Sequence, residues 1–349
     1  MAKKTRDQGL DYRALTKELN TKGPGRLYLL WGPEDYLIAD FTEKLCNACI
    51  SEGMEEFDHK RLDGPALDPD ALAEALDAMP FFGGRTFVEL RGVDVNKCRD
   101  AKTAELLSDI PDWCTVVITL PTGAEPDGRL SLVKQLKKDG KAVEFTSQKG
   151  ELLYNWITRR FQAHGKRIDK AVMDRLITVS GELMNQLIPE IEKISAYAPG
   201  EQITAADVDR LAHHLPEAIA FDMTNCIADR DFDGAAEKMT ELLAGDAEPI
   251  EVMGTIGWQL RRLYAAKVIL EHGGGAEQIR EMLGIYNDYA FRQTMETVKR
   301  FSLSELARDV RHVAEYSMKF REQGGVITET EALKELLILI AMENRRAVP

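Results

Sequence analysis

Residues 26–37 read RLYLLWGPEDYL, and this stretch indicates the fold of the first part of the chain. A short apolar run ends at Gly-Pro and is followed by Leu37, Phe41 and Leu45 at helical spacing, which is typical of a strand, a loop and a helix packed on a sheet. Four further segments are strand candidates, at 57–62, 86–90, 114–120 and 141–145. Helical segments separate these strands, so the sequence predicts an α/β domain with a five-stranded, mainly parallel sheet.

The loop after the first strand, Gly32-Pro33-Glu34-Asp35, lies where a phosphate-binding loop would lie. A working loop follows the pattern G-x-x-x-x-G-K-[ST], in which backbone N–H groups and Lys bind the phosphates and a hydroxyl binds Mg²⁺. No Gly-Lys-Ser or Gly-Lys-Thr occurs in the chain, and the two carboxylates would repel a triphosphate. We therefore expect no ATP hydrolysis. An ordinary strand, turn and helix in an unrelated α/β domain remains an alternative for this segment.

From about Glu151 onward the pattern indicates helices only. The change to a helical pattern and the loop residues predict three domains: an α/β domain at 1–148, a small helical domain at 149–215 and a larger helical domain at 216–349. The last helix begins with a capping box at Thr328 and Glu331. Its interior, LLILIA at 336–341, is apolar on every face. Such a helix should be buried on all sides, either in its own bundle or against another subunit.

The segment Met79-Pro80-Phe81-Phe82-Gly83-Gly84 follows a helix predicted at 70–78 and precedes the third strand. The helix should stop before Pro80, because the residue preceding a proline is disfavoured in helical geometry. Connections run over the surface, so two adjacent phenylalanines there indicate an interaction site. The alternative is that one or both rings fold back under the sheet as part of the core.

The net charge of the chain is −13, which argues against a protein that binds nucleic acid with its whole surface. One dense basic cluster is present, formed by Arg159, Arg160, Lys166, Arg167 and Lys170. It could contact DNA, but the pattern favours a solvated helix end or a contact to an acidic subunit.

The five cysteines are scattered and do not suggest a disulfide framework, and no run of 18 apolar residues occurs. We therefore expect a cytoplasmic protein. Cys46 and Cys49 form a C-x-x-C pair without a second pair at zinc spacing, which is typical of packing cysteines. We find no residues at metal-ligand or catalytic spacing, so the sequence predicts no metal, no cofactor and no catalytic residue.

The order and spacing of several segments resemble the delta subunit of the bacterial DNA polymerase III clamp loader. These segments are LYLLWGPEDYLI (27–38), MPFFGGRTFVEL (79–90), CTVVITL (114–120) and the helices around 221–223 and 258–263. The resemblance covers nearly the whole chain. It implies an AAA+-like fold, with a RecA-like domain, a small helical lid and a C-terminal helical collar. It also implies that Phe81 and Phe82, with Met79 beside them, are the clamp-binding element.

The resemblance further implies a DNA replication protein that binds and opens the ring-shaped sliding clamp, the beta subunit, without binding ATP. Its other protein partners would be gamma/tau-type and delta-prime-type loader subunits, which it would contact through the collar. It would also meet primer-template DNA within the complex, and no membrane partner is implied. DNA-directed DNA polymerase activity, a nucleotidyltransferase reaction, would belong to this chain by association only. Two rival interpretations are a degenerate AAA+ ATPase and an α/β-helical scaffold protein with an unrelated partner.

Overall fold

The chain divides into two compact units, which are Met1–Gln148 with Leu183–Asn185 and Lys149–Glu182 with Gln186–Pro349. The computed structural model describes residues 11–244, 248–285, 288–319 and 328–346. The three-domain division that the sequence suggests stays a prediction.

The first unit is built on the expected five-stranded parallel sheet. Its strands are β1 (Leu27–Trp31), β2 (His59–Asp63), β3 (Thr86–Arg91), β4 (Cys114–Thr119) and β5 (Lys141–Glu144). Their spatial order is β2-β3-β4-β1-β5, and every neighbouring pair is parallel. Its helices are α1 (Tyr12–Lys22), α2 (Asp35–Cys49), α3 (Glu55–Asp58), α4 (Pro69–Asp77), α5 (Ala101–Ser108) and α6 (Ser131–Asp139). The predicted fold class is confirmed for this part of the chain.

The central strands are mostly apolar on both faces because helical crossovers cover both sides of a parallel sheet. Leu29 and Leu30 in β1 and Val88 in β3 are fully buried. The edge strand β2 is polar and only partly buried. The carboxyl end of β1, where Gly32 follows, therefore lies between β4 and β5 in the interior of the sheet.

The second unit is mainly helical. Its helices are α7 (Glu151–Ala163), α8 (Lys170–Ser180), α9 (Met184–Tyr197), α10 (Ala205–Leu211), α11 (Pro216–Ala228), α12 (Phe232–Ala244), α13 (Pro249–Glu271), α14 (Ala276–Leu283), α15 (Asp288–Arg300), α16 (Leu303–Lys319) and α17 (Glu329–Arg346). The first residues of α9 are assigned to the first unit. The prediction of helices only is wrong in one place, because β6 (Arg167–Ile168) and β7 (Gln202–Ile203) form a short parallel pair. Two-residue strands leave no periodic signal in a sequence.

The last helix, α17, begins as predicted but is not buried on all sides. Glu331 N–H donates to the Thr328 hydroxyl at 3.3 Å, and Thr328 N–H donates to the Glu331 carboxylate at 2.8 Å, which completes the capping box. Leu336 and other residues of one face are buried, but Ile338 is 58% exposed and Met342 is 52% exposed. Burial of the whole helix within its own bundle is therefore wrong.

A membrane-spanning helix is not found among the described residues, since none of their helices combines the needed length with enough apolar character.

A hydrogen-bonded group joins the edge strand β2 to its neighbours in the first unit. His59 Nε2 lies 2.9 Å from Glu89 Oε2, and His59 Nδ1 lies 3.9 Å from the half-buried Cys46 Sγ. Arg61 donates to the same Glu89 oxygen at 3.0 Å. The bonds to Cys46 and Glu89 raise the pKa of His59 to about 9, against the opposing effect of burial. Burial favours neutral Glu89, but the bonds from His59 and Arg61 hold its pKa below the usual range.

We expect His59 to make the stability of this unit depend on pH in the alkaline range. Its folded pKa is above its ordinary value of 6.5, so its contribution is fully present below about pH 6.5 and is lost as the pH rises through about 9. Urea unfolding of the wild type should show a free energy of unfolding that falls by on the order of 1–3 kcal/mol across this window.

The His59→Gln variant should lose most of that pH dependence, whereas His164→Gln, at an exposed position, should keep it. An identical pH profile for wild type and His59→Gln would contradict the assignment.

Candidate functional site

The loop between α4 and β3 presents large apolar side chains to solvent. Met79 is 71% exposed, Phe81 is 65% exposed and Phe82 is 72% exposed. Helix α4 ends at Asp77, close to the predicted end, and Ala78 is already extended. The alternative that these rings fold back under the sheet is therefore wrong.

A third ring, Phe57 from α3, joins the pair. Phe57 is 54% exposed and stacks on Phe81, with ring centroids 5.5 Å apart and planes 24° apart. Phe81 in turn meets Phe82 edge to face, with centroids 4.9 Å apart. We call Phe57, Phe81 and Phe82 the aromatic surface.

Sequence reasoning missed Phe57 because it placed this residue at the start of the second strand. The strand begins at His59, and Phe57 lies in a single helical turn in which Phe57 N–H and Asp58 N–H both donate to Met54 O. The flanking Glu55, Glu56 and Asp58 were the available signal, since acidic residues are depleted in strands.

Hydrogen bonds fix the loop at both ends. Phe81 N–H donates to Asp58 Oδ1 at 2.9 Å, and Arg85 N–H donates to Cys49 O at 2.9 Å. The Thr86 hydroxyl donates to Ala78 O at 2.7 Å, which closes the base of the loop. The backbone is thus held while the rings remain exposed, an arrangement that lowers the entropic cost of binding.

Two glycines make the turn that leads from the rings into β3. Gly83 and Gly84 have φ of +88° and +80°, a region that side-chain-bearing residues rarely adopt. A Cβ at Gly84 would lie 2.7 Å from Cys49 O, whereas a Cβ at Gly83 would meet nothing within 4 Å. Gly84 is therefore required both by its conformation and by a close backbone approach.

The loop after β1 packs tightly against the end of β5. Gly32 has φ of +128°, and a Cβ there would lie 2.4 Å from Phe145 O. Glu34 N–H donates to the same carbonyl at 3.3 Å. A backbone N–H that could face a phosphate in a working loop is thus engaged within the protein.

The two carboxylates of this loop lie at different depths. Glu34 is fully buried, and its carboxylate accepts a hydrogen bond from Met184 N–H at 3.4 Å. Asp35 is the first residue of α2, and its carboxylate accepts from the Thr122 hydroxyl at 3.3 Å. Pro33 is exposed. Two acidic side chains therefore occupy a loop in which phosphates would need a lysine and backbone N–H donors.

The residues of the basic cluster in the second unit are engaged to different degrees. Lys166 Nζ donates to Ala198 O at 2.9 Å and to Gly200 O at 2.7 Å, next to the end of α9. Arg160 lies over the Trp156 ring at 5.2 Å, and Arg167 lies 3.9 Å from Glu201. Arg159 is exposed and donates to Asn155 O at 3.2 Å. Lys166 thus stabilises the chain after α9 through hydrogen bonds within this unit, whereas Arg159 and Arg167 are exposed on its surface.

The chemistry of the aromatic surface is suited to binding. Phenylalanine rings bury a large apolar area with few rotatable bonds, and the surface carries no titratable group. Within the residues that the structure describes, no group of three or more His, Cys, Asp or Glu side chains is arranged to hold a metal ion.

Two family models match the chain. The model described as DNA polymerase III, delta subunit, matches residues 28–146, which include the aromatic surface and the loop after β1. The model described as DNA polymerase III delta subunit, C-terminal domain, matches residues 217–339. Together they cover about two thirds of the chain.

Similar proteins span nearly the full length. The DNA polymerase III subunit delta of Bacillus subtilis (strain 168) is 24% identical over 327 residues, covering 90% of this chain and 92% of that protein. The probable DNA polymerase III subunit delta of Aquifex aeolicus (strain VF5) is 21% identical over 316 residues, covering 86% and 89%.

Among solved structures, the Bacillus subtilis DNA clamp loader delta protein has the same fold. It superposes with a TM-score of 0.55 at 21% identity, and the match covers 95% of this chain and 99% of that chain. The two family models and this agreement over nearly the whole length confirm the resemblance seen in the sequence: the chain belongs to the family of DNA polymerase III delta subunits.

Proposed function

We propose that this chain is a clamp-loader subunit that binds the ring-shaped sliding clamp through Met79, Phe81 and Phe82. Binding favours the open form of the ring, so that the ring can be loaded onto primed DNA during replication. The observation that carries the proposal is the pair of adjacent phenylalanines, each more than 60% exposed, on a loop whose backbone is held at both ends. Membership of the delta family and the likeness in fold to the Bacillus subtilis DNA clamp loader delta protein support it.

The energetics suit a central contact rather than a whole interface. Burial of each ring contributes roughly 1.5–3 kcal/mol, so the pair supplies about 3–6 kcal/mol. Nanomolar affinity corresponds to about 12 kcal/mol. Phe81 and Phe82 would therefore be hot spots within a larger contact area.

Opening of the ring follows from unequal affinity for its two forms. A binder shifts an equilibrium only by the difference between its affinities for the two states. Because hydrogen bonds hold the loop at both ends, the loop does not adapt easily to its partner. The fit is then improved by a change in the clamp, and a surface that matches the open form stabilises that form.

ATP-dependent steps would belong to the other loader subunits. Glu34 is buried in the loop after β1, and no lysine of a phosphate-binding loop follows it. The gamma/tau-type and delta-prime-type subunits would assemble with this chain through residues 216–349. The exposed Ile338 and Met342 on α17 are suitable contacts for such a neighbour. Arg159 and Arg167 would face either a neighbouring subunit or the primer-template DNA.

Nucleotidyl transfer by the polymerase holoenzyme would then not be carried by this chain, whose role is binding and assembly. The proposed setting is the bacterial cytoplasm, where replication takes place.

The double variant Phe81→Ala/Phe82→Ala should lose clamp binding without losing the fold. We expect the affinity for the purified sliding clamp to fall by at least about a hundredfold, since two hot-spot rings are removed. Isothermal titration calorimetry without nucleotide measures this, and thermal unfolding checks the fold. Tyr197→Ala is the matched control, because Tyr197 is an exposed aromatic residue, 71% exposed, at the end of α9 in the second unit. Wild-type affinity in the double variant would overturn the proposal.

The purified chain should not bind ATP. Titration with a fluorescent ATP analogue and Mg²⁺ into the millimolar range should give no saturable signal, because the loop after β1 lacks the lysine that binds the phosphates and the hydroxyl that binds Mg²⁺. A gamma-type loader subunit provides the positive control. Saturable micromolar binding would instead support the rival interpretation of a degenerate ATPase.

Substitution at Gly84 should damage the loop more than the same substitution at Gly83. Both variants, Gly84→Ala and Gly83→Ala, carry a cost on the order of 1–2 kcal/mol for positive φ. Only Gly84→Ala also creates the close contact with Cys49 O. The free energy of unfolding in urea and the affinity for the clamp measured by calorimetry should therefore both be lower for Gly84→Ala than for Gly83→Ala. Equal losses in the two variants would mean that the contact at Gly84 does not hold the loop.

A further inference from the structure

We infer that α3 forms the second part of the clamp-binding surface, in which Phe57 contacts the clamp directly and Asp58 positions Phe81. This inference rests on the proposed function and adds two residues from a separate segment of the chain. Neither residue belongs to the hydrophobic pair that the sequence singled out.

The three rings form one continuous apolar surface. Phe57 stacks on Phe81 at 5.5 Å, and Phe81 meets Phe82 at 4.9 Å. A partner pocket that accepts Phe81 would therefore meet the ring of Phe57 as well, because Phe57 is still 54% exposed after it has stacked. The partner must offer an apolar pocket wide enough for a row of rings rather than a slot for one side chain.

Backbone hydrogen bonds hold the helical turn that carries Phe57. Phe57 N–H donates to Met54 O at 3.0 Å, and Asp58 N–H donates to the same oxygen at 2.9 Å. Strand β2 begins at the next residue but one, His59, which lies opposite Phe87 of β3. A ring anchored this close to the central sheet loses little conformational freedom on binding, as expected for a contact residue.

Asp58 connects α3 to the loop. It is 1% exposed, and its Oδ1 accepts the hydrogen bond from Phe81 N–H. Its Oδ2 is buried and has no hydrogen-bond partner among the described residues. Burial of a polar group with so few hydrogen-bond partners has a cost in free energy. The one bond that it does make holds the backbone of Phe81, and this identifies Asp58 as a positioning residue.

Calorimetry of the full-length chain with the sliding clamp ring separates contact from support for Phe57. The variants are Phe57→Ala alone, Phe81→Leu alone, the two combined, and Tyr197→Ala as the exposed aromatic control. We expect Phe57→Ala to weaken binding by about tenfold, with an unchanged thermal midpoint. The loss should persist in the Phe81→Leu background, because a contact residue acts even when its stacking partner is gone.

Each outcome decides between the hypotheses. If the wild type does not bind the clamp, the proposed function fails and this inference fails with it. If the wild type binds and Phe57→Ala binds equally well, only the inference fails. If the effect of Phe57→Ala disappears in the Phe81→Leu background, Phe57 merely supports Phe81 and direct contact is excluded.

The role of Asp58 has its own readout, which does not require the clamp. In Asp58→Ala the Phe81 amide should exchange its hydrogen faster, by about tenfold or more, and clamp affinity should fall. Asp58→Asn retains an oxygen acceptor, so its Phe81 amide exchange rate and its clamp affinity should both be close to those of the wild type. Unchanged exchange at the Phe81 amide in Asp58→Ala would overturn the positioning role.

Discussion

The parallel pairing of β2 with β3 is the constraint on which the aromatic surface depends. His59, the first residue of β2, lies opposite Phe87, the second residue of β3. Parallel strands present their amino ends at the same edge of a sheet. The segments that enter these strands, α3 and the loop at 78–85, are therefore brought side by side although more than 20 residues separate Phe57 from Phe81.

The same sheet separates the aromatic surface from the loop after β1. Gly32 and Glu34 follow the carboxyl end of β1, whereas the aromatic surface lies at the amino ends of β2 and β3. In open α/β sheets the carboxyl ends are where small ligands ordinarily bind. In this chain Glu34 is buried at that edge, and the aromatic surface is exposed at the opposite edge.

The edge strand β2 is held by polar contacts as well as by backbone pairing. The Glu89 carboxylate of β3 is hydrogen-bonded to His59 and Arg61 of β2, and the Cys46 thiol of α2 contacts the other ring nitrogen of His59. These contacts stabilise the strand whose amino end carries Phe57 and Asp58. Polar residues on β2 are compatible with its position, because an edge strand is paired on one side only.

The sequence by itself determined the features that arise from local chemistry. The apolar runs located the buried strands β1, β3 and β4, Pro80 indicated where α4 ends, and the missing Gly-Lys-Ser pattern predicted that the loop after β1 binds no phosphate. Only the tertiary structure decided that Phe57 joins the pair, that Lys166 binds the carbonyls at 198 and 200, and that Ile338 is exposed on a helix that is apolar all round. The reason is physical: periodicity and turn residues report the burial and backbone conformation of a segment, whereas contacts between distant segments depend on strand order and register, which local patterns do not encode.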